Sequence, residues 1–577
     1  MTPAVLALSS GDPDGCCEAA NVLRAEADRG RVPASPAIKS GAVAALLSLV
    51  RGPGGGQSSS STGAPPWGQR GVAALSAEVA ALRREWREQD ADRCARHAAN
   101  ALAAIASADP EGRPALTLVP FLLDALLTRA ESRASSAAAR GAAAGALFRL
   151  AGEPLAKSAI ASRPDAVAGL VSLMCDRGDD DDDDAPSPKL GDPSGSTPAT
   201  PSGGDGSDGG GARLAAAAEA AGALWTATVR VAGPSAPGGV SGFHSGVSTP
   251  GGGPSAGGSG FSTPGTVSSQ ALGAAAGNDA AQVICTHLSH RHLDELAAAL
   301  AKGHPRRRRG RRRGDEGSGG DADDVVTARV AATLANTCAV PACAANVARS
   351  PTTLDALSRS LRSTRGHSGP AGESTGGAGG RGERGEEVNP WRIRREAGLA
   401  LWNLTNSLWN LTAPNETGGA GALNDHRASN DHRASNDHRA RSNHRKRVAA
   451  RDGIVDGLVE MILAGCAAAR YSSPNLSRPN GDEDPHEAIR LGAGTLGAIL
   501  SEPAARSKFV KHPLASVAVR SALLRATDPG DPGADAITPT AVWLLLNAAA
   551  SEDMCEFIGG DDACLGAALR VIASGGP

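Results

Sequence analysis

The residues best able to suggest chemistry are two glycine-framed motifs, a histidine tract, ten cysteines and two charge runs, and spacing decides what each can do. Gly492-Ala493-Gly494-Thr495-Leu496-Gly497 spells the G-x-G-x-x-G of a dinucleotide site. That site needs a strand before it and a helix after it, so that backbone N–H groups meet a pyrophosphate. Here the glycines lie inside an Ala/Leu-rich helical stretch, where the expectation is close helix packing. Gly253-Pro254-Ser255-Ala256-Gly257 imitates a nucleophile elbow but sits in a Gly/Ser tract with no strand. His426, His432, His438 and His444 recur every six residues within a repeated Asn-Asp-His-Arg-Ala-Ser hexapeptide. Six residues turn a helix by about two-thirds of a circle and reach about 20 Å when extended, so neighbouring imidazoles do not share one ion. The cysteines include no C-x-x-C, and the closest separated pairs are Cys338/Cys343 and Cys555/Cys564. They read as small buried hydrophobes in a reducing compartment. No P-loop, H-E-x-x-H or EF-hand spacing occurs. The residues therefore point to no catalytic centre, no metal, no cofactor and no small-molecule substrate.

Composition narrows the class. A chain of 577 residues exceeds the roughly 250–300 residues at which a single core stops growing, so it is either multidomain or a repeat array. Aromatics make up 2 %, with one Tyr, which disfavours a large sheet and suits close-packed Ala/Leu helices. The 73 Gly and 37 Pro cluster in stretches that leave the Ala/Leu segments nearly free of Pro. A net charge of −3 gives no general attraction to nucleic acid or anionic membrane. No apolar run approaches the roughly 18–20 residues of a membrane span, and no basic residue precedes the short apolar stretch Ala4–Leu8. The expected location is the cytoplasm or the nucleus. The basic run Arg306–Arg313 is a candidate nuclear signal or phosphate patch, and Asp179–Asp184 is a solvated acidic run.

One phrase recurs at the end of Ala-rich helical runs: Ala-Leu-x-(Asn)-Leu. It is clearest in Ala400-Leu401-Trp402-Asn403-Leu404 and returns around Leu23, Leu102, Leu147, Leu224, Leu334, Leu496 and Leu545. A second phrase opens on a small or turn-forming residue and continues with apolar residues at helical spacing, as in Gly41–Val50, Asp165–Leu173 and Gly453–Ile462. Shorter amphipathic stretches such as Ser501–Val510 and Ser551–Ile558 lie between them. Each unit thus holds one short and two longer helices, none able to bury its apolar stripe alone. Low-complexity insertions interrupt the array at 51–66, 176–211, 231–270, 303–322, 363–389, 413–445, 466–484 and 526–534. With the later seven removed, the leucines from Leu102 to Leu545 fall 45, 41, 50, 40, 43 and 40 residues apart. Five of these gaps lie within the roughly 40–47 residues of an armadillo-type repeat.

In these phrases the chain resembles the armadillo-repeat family over nearly its whole length, with HEAT repeats as the structural alternative. The resemblance implies an all-α, right-handed α-solenoid covering residues 1–577, in which seven to eight units stack and third helices line a concave groove. It implies a protein or peptide ligand in that groove. Asn336, Asn403 and Asn547 would pair with its backbone, and Trp402 and Trp543 would form apolar walls. Arg149 takes the equivalent place in another copy, and Trp225 is an aromatic displaced by two positions. The implied role is a scaffold or adaptor. Two others stand beside it: a nuclear-import adaptor like importin alpha, and the substrate-targeting part of a ubiquitin ligase. The import adaptors use Trp-x-x-x-Asn pairs in successive third helices, and only Trp543/Asn547 matches in register. The insertions are expected to be disordered and dispensable for folding.

Overall fold

The computed structural model describes residues 2–8, 10, 12–52, 70–176, 209–230, 269–302, 319–362, 390–409, 442–471, 484–531 and 533–573. Most of the eight insertions lie outside these residues, as do the basic and acidic runs and His426, His432 and His438. Among the described residues every regular element is helical.

Helices follow one another in a cycle of three. In the central cycles a first helix such as Pro341–Arg349 is followed by a second, Pro351–Arg362, and a third, Pro390–Trp409. A proline often begins a helix, at Pro13, Pro154, Pro341, Pro351, Pro390, Pro485 and Pro503, where its missing N–H loses no hydrogen bond. Asp12 and Asp484 cap two of these starts, accepting from the N–H of Gly15 and His486, each at 2.9 Å. The corner between first and second helices takes a left-handed residue in three cycles, one of them Phe121 (φ 65°) before Leu122–Glu131. Gly41 (φ 79°) and Gly453 (φ 82°) fill it in the other two, which is why the second phrase opens on glycine there.

The chain divides into two compact units. One comprises Met1–Arg129, Ala146–Val167 and Thr226–Ile284; the other comprises Ala130–Gly145, Ala168–Trp225 and Cys285–Pro577. In the larger unit the second and third helices each pack on their counterparts three helices later. The second helices His290–Lys302, Pro351–Arg362, Ile454–Tyr471, Ala515–Ala526 and Asp562–Ala573 form one row. The third helices Gly319–Cys338, Pro390–Trp409, Pro485–Ile499 and Ala534–Ala548 form another. The smaller unit follows the same rule: Thr2–Leu8 meets Ala42–Arg51, and Pro13–Asp28 meets Arg70–Ala108. Ala34–Lys39 likewise meets Arg113–Thr117, which meets Pro154–Ala161. This is α-solenoid stacking, in which each helix buries its apolar stripe only by meeting neighbouring copies.

Small residues set how closely the rows approach. A Cβ at Gly141 would collide with Ala216 of the next third helix. The glycines of the G-x-G-x-x-G string all lie within the helix Pro485–Ile499, and each faces a different neighbour. A Cβ on Gly492 would stand 2.8 Å from Ile462, one on Gly494 would enter the Trp402 ring, and one on Gly497 would stand 3.0 Å from the Leu544 backbone.

Basic side chains close the C-terminal ends of third helices. Arg113 Nε donates to Ala106 O (2.7 Å), and Arg445 to Leu408 O (2.9 and 2.8 Å). Lys157 and Arg506 hold the same place, fourth in a first helix, and donate to Val229 O (2.5 Å) and Ala550 O (3.3 Å), just past the next third helix. Such carbonyls have no partner within their own helix, and the negative end of its dipole favours a cation.

Seven of the eight insertions share edge residues with described helices, among them Gly209, Ser269 and Gly319 at helix starts. Residues 466–471 continue the helix Ile454–Tyr471, and 442–445 open the helix over 442–450. The stretch 526–534, expected as a dispensable loop, contains a hydrogen-bonded turn. Asp528 and Asp531 accept from Gly530 N (3.0 Å) and Gly533 N (2.9 Å). Asp531 also meets Arg525 (3.3 Å) and His486 Nε2 (2.6 Å). Two aspartates satisfying backbone and neighbouring side chains together give this segment a reason to stay folded.

Candidate partner-binding face of the third helices

Several third helices leave a narrow strip of side chains less than fully covered, whereas Pro485–Ile499 is buried from Ala488 to its end. In Pro390–Trp409 the strip runs through Arg392, Arg395, Asn403 and Asn406, at the spacings that return to one helical face. Much of it is already engaged in holding one third helix to the next. Asn403 Nδ2 donates to Ala335 O at 2.9 Å, and Ser407 Oγ to Cys338 O at 2.7 Å. Arg329 donates to Ala218 O at 2.6 Å, and Arg395 pairs with Glu487 at 2.6 Å. In the smaller unit His97 and Asn21 bridge their third helices at 2.8 Å. The neighbouring Arg394 is buried, and burial pushes its guanidinium down to about 10; it lies over the Trp391 ring, 5.4 Å from the centroid.

The expected groove residues divide by environment. Trp402 was expected as an apolar wall, but it is 6 % exposed, its ring lodged where Gly494 leaves room. It belongs to the packing between third helices. Asn403 is half-buried and spends one N–H on the tie to Ala335, keeping its Oδ1 and a second N–H. Asn336 is half-buried on the adjacent helix, and Trp225 is half-buried in Gly209–Thr228. Arg149 is half-buried, its guanidinium 4.7 Å from the centroid of Phe148, and it belongs to the smaller unit.

Trp543 and Asn547 come together. Asn547 Nδ2 donates to Trp543 O at 3.1 Å, four residues back on one helical face. Trp543 is 38 % exposed and Leu546 beside it 67 %. The fully buried leucine of this helix is Leu544, while Leu545, expected to hold the register, is only half-buried. Sequence reasoning passed over Leu546. The signal for it was the run Leu544-Leu545-Leu546, since three consecutive residues of a helix do not all face one core.

Among the described residues, no group of three or more His, Cys, Asp or Glu side chains is placed to hold a metal ion. Among them, too, no single helix is long and apolar enough to cross a membrane.

No protein-family model matches this chain, and no curated protein matches it. Among solved structures, the chain is similar to one described as "A conserved phosphorylation switch controls the interaction between cadherin and beta-catenin in vitro and in vivo". The identity is 10 % and the TM-score 0.45, over 99 % of this chain and 76 % of that one.

Proposed function

We propose that the chain is a protein-interaction scaffold that holds an extended peptide or a partner helix against its third helices. The observation that carries this reading is the exposed apolar pair Trp543 and Leu546, standing beside Asn547 on a helix whose Ile537, Ala541 and Leu544 are buried in the array. A large indole on a rigid helix offers much apolar area at little entropic cost, which makes tryptophan a common anchor of protein contacts. Asn547 retains a carbonyl and an N–H beside it, a pair that matches the N–H and C=O of an extended chain. Asn336 and Asn403 would extend the polar contact along the same row, and each such hydrogen bond nets only about 0.5–1.5 kcal/mol. On this reading the chain performs no reaction of its own, takes no cofactor, and works in the cytoplasm or the nucleus. The import-adaptor reading is weaker, because the ring of Trp402 is spent on Gly494.

Peptides selected by display on the full chain, then titrated against variants, test the proposal. W543A is expected to weaken the selected peptides at least about tenfold, or about 1.4 kcal/mol. The N336A/N403A/N547A triple variant is expected to weaken them with an unchanged melting temperature. Equal binding by wild type and both variants would remove this face from the account.

A further inference from the structure

The helix Pro13–Asp28 carries Cys16 and Cys17 early in its length, and it packs on the helix Arg70–Ala108, which carries Cys94. The three thiols form one buried cluster with Leu49 packed against it. Within it the pairing is specific. Cys17 Sγ lies 3.4 Å from Cys94 Sγ, across 77 positions of chain. Cys16 Sγ instead turns to Leu8 O at 3.3 Å. A disulfide needs about 2.05 Å between sulfurs, so the gap to close is roughly 1.4 Å, within the reach of small side-chain rotations.

We propose that Cys17 and Cys94 form an oxidation site, at which a peroxide converts the facing thiols to a disulfide joining these two third helices. Burial and the neighbouring Cys17 push the Cys94 thiol up to about 12, and its S–H donates to Pro13 O, so the scheme gives Cys94 the role of the second, protonated thiol and Cys17 the first attack. The Cys17 thiolate attacks one peroxide oxygen, the O–O bond breaks, and Cys17 becomes a sulfenic acid while the departing hydroxide takes up the proton that Cys17 released and leaves as water. Cys94 sulfur then attacks Cys17 sulfur; the S–O bond breaks, and the hydroxide departs as a second water with the Cys94 proton. In sum, two thiols and one peroxide give one disulfide and two waters. Pro13 O, 3.4 Å from Cys94 Sγ, holds the second thiol in place while it waits.

The test treats the reduced full chain with hydrogen peroxide and maps disulfide-linked peptides by mass spectrometry, with the exposed Cys555 as internal control. The expected result is a Cys17–Cys94 linked peptide, two hydrogens lighter than its reduced parts, forming after Cys555 reacts and lost on reduction. C16S should give the same linked peptide. With dimedone as the trap, C94S, or C94A if the serine variant misfolds, should accumulate sulfenic acid at Cys17. C17S should accumulate none at Cys94. A folded wild type whose Cys555 is fully oxidised while no Cys17–Cys94 peptide forms would overturn the proposal, as would a linked peptide that pairs Cys94 with Cys16.

Discussion

At the scale of single residues, His97 shows how a third-helix tie becomes a pH response. Its Nδ1 lies 2.8 Å from Asn21 Oδ1, an acceptor, so Nδ1 carries the proton; Arg96 stands 3.4 Å from Nε2 and supplies the other nitrogen with a donor. The neutral ring is therefore satisfied on both sides. Burial, followed by the charges of Arg96, Arg93 and Arg24, lowers its pKa in the folded state. On acidification the unfolded chain takes up this proton first, at about pH 6.5, and the folded chain only lower. The contribution to stability is thus complete above about pH 6.5 and is lost as the pH falls from there toward the folded value. His444 is shifted in the same direction by burial and by Arg349 and Arg447, so wild type alone does not isolate His97. The comparison that does is H97Q. Its melting temperature should fall less than that of wild type between about pH 7.5 and about pH 5.5. An equal fall in both proteins would show that His97 does not titrate with this sign. Ties of this kind were hidden in the sequence. Nothing near Asn403 says that its amide will meet Ala335, because the meeting depends on how two distant segments are set side by side.

At the scale of elements, the sequence was most informative where a pattern is local. The recurring leucine phrases lie within third helices, and the glycine-led phrases begin second helices at Gly41 and Gly453. Turn chemistry and helical periodicity are both written in adjacent residues, so they survive without knowledge of the neighbours. Side-chain destinations are not local. Trp402 reads as a surface wall in its own phrase and is buried only because Gly494, on another helix, leaves space for it. Gly494→Ala should therefore destabilise the chain by about 1–3 kcal/mol, the range for overpacking a filled core, although alanine is the better helix former. Trp402→Leu in the same chain should recover part of that loss, because it withdraws the ring that the new methyl meets. Urea denaturation gives both numbers. Gly494→Ala matching or exceeding wild-type stability would mean that the ring does not fill this space. The turn holding Asp528 and Asp531 teaches the reverse lesson: a Gly/Pro/Asp-rich stretch has the composition of a loose insertion, yet its aspartates are committed to backbone and to His486.

At the scale of the whole molecule, each of the two compact units is built of stacked helices that bury their apolar stripes against neighbouring helices, and the proposal places partner binding on the third helices of the larger one. The cycle of three helices recurs through the described residues, and the leucine spacing conveys that period once the low-complexity stretches between the phrases are set aside. Far-ultraviolet circular dichroism should show a helical spectrum, and a substantial sheet signal would contradict the fold. The most direct measurement of the central claim is hydrogen–deuterium exchange of the full chain, with and without a display-selected peptide. The account predicts that the bound peptide slows exchange in the third helix Ala534–Ala548, around Trp543, Leu546 and Asn547, and that W543A abolishes this protection. Protection confined to segments outside the third helices, and unchanged by W543A, would contradict it.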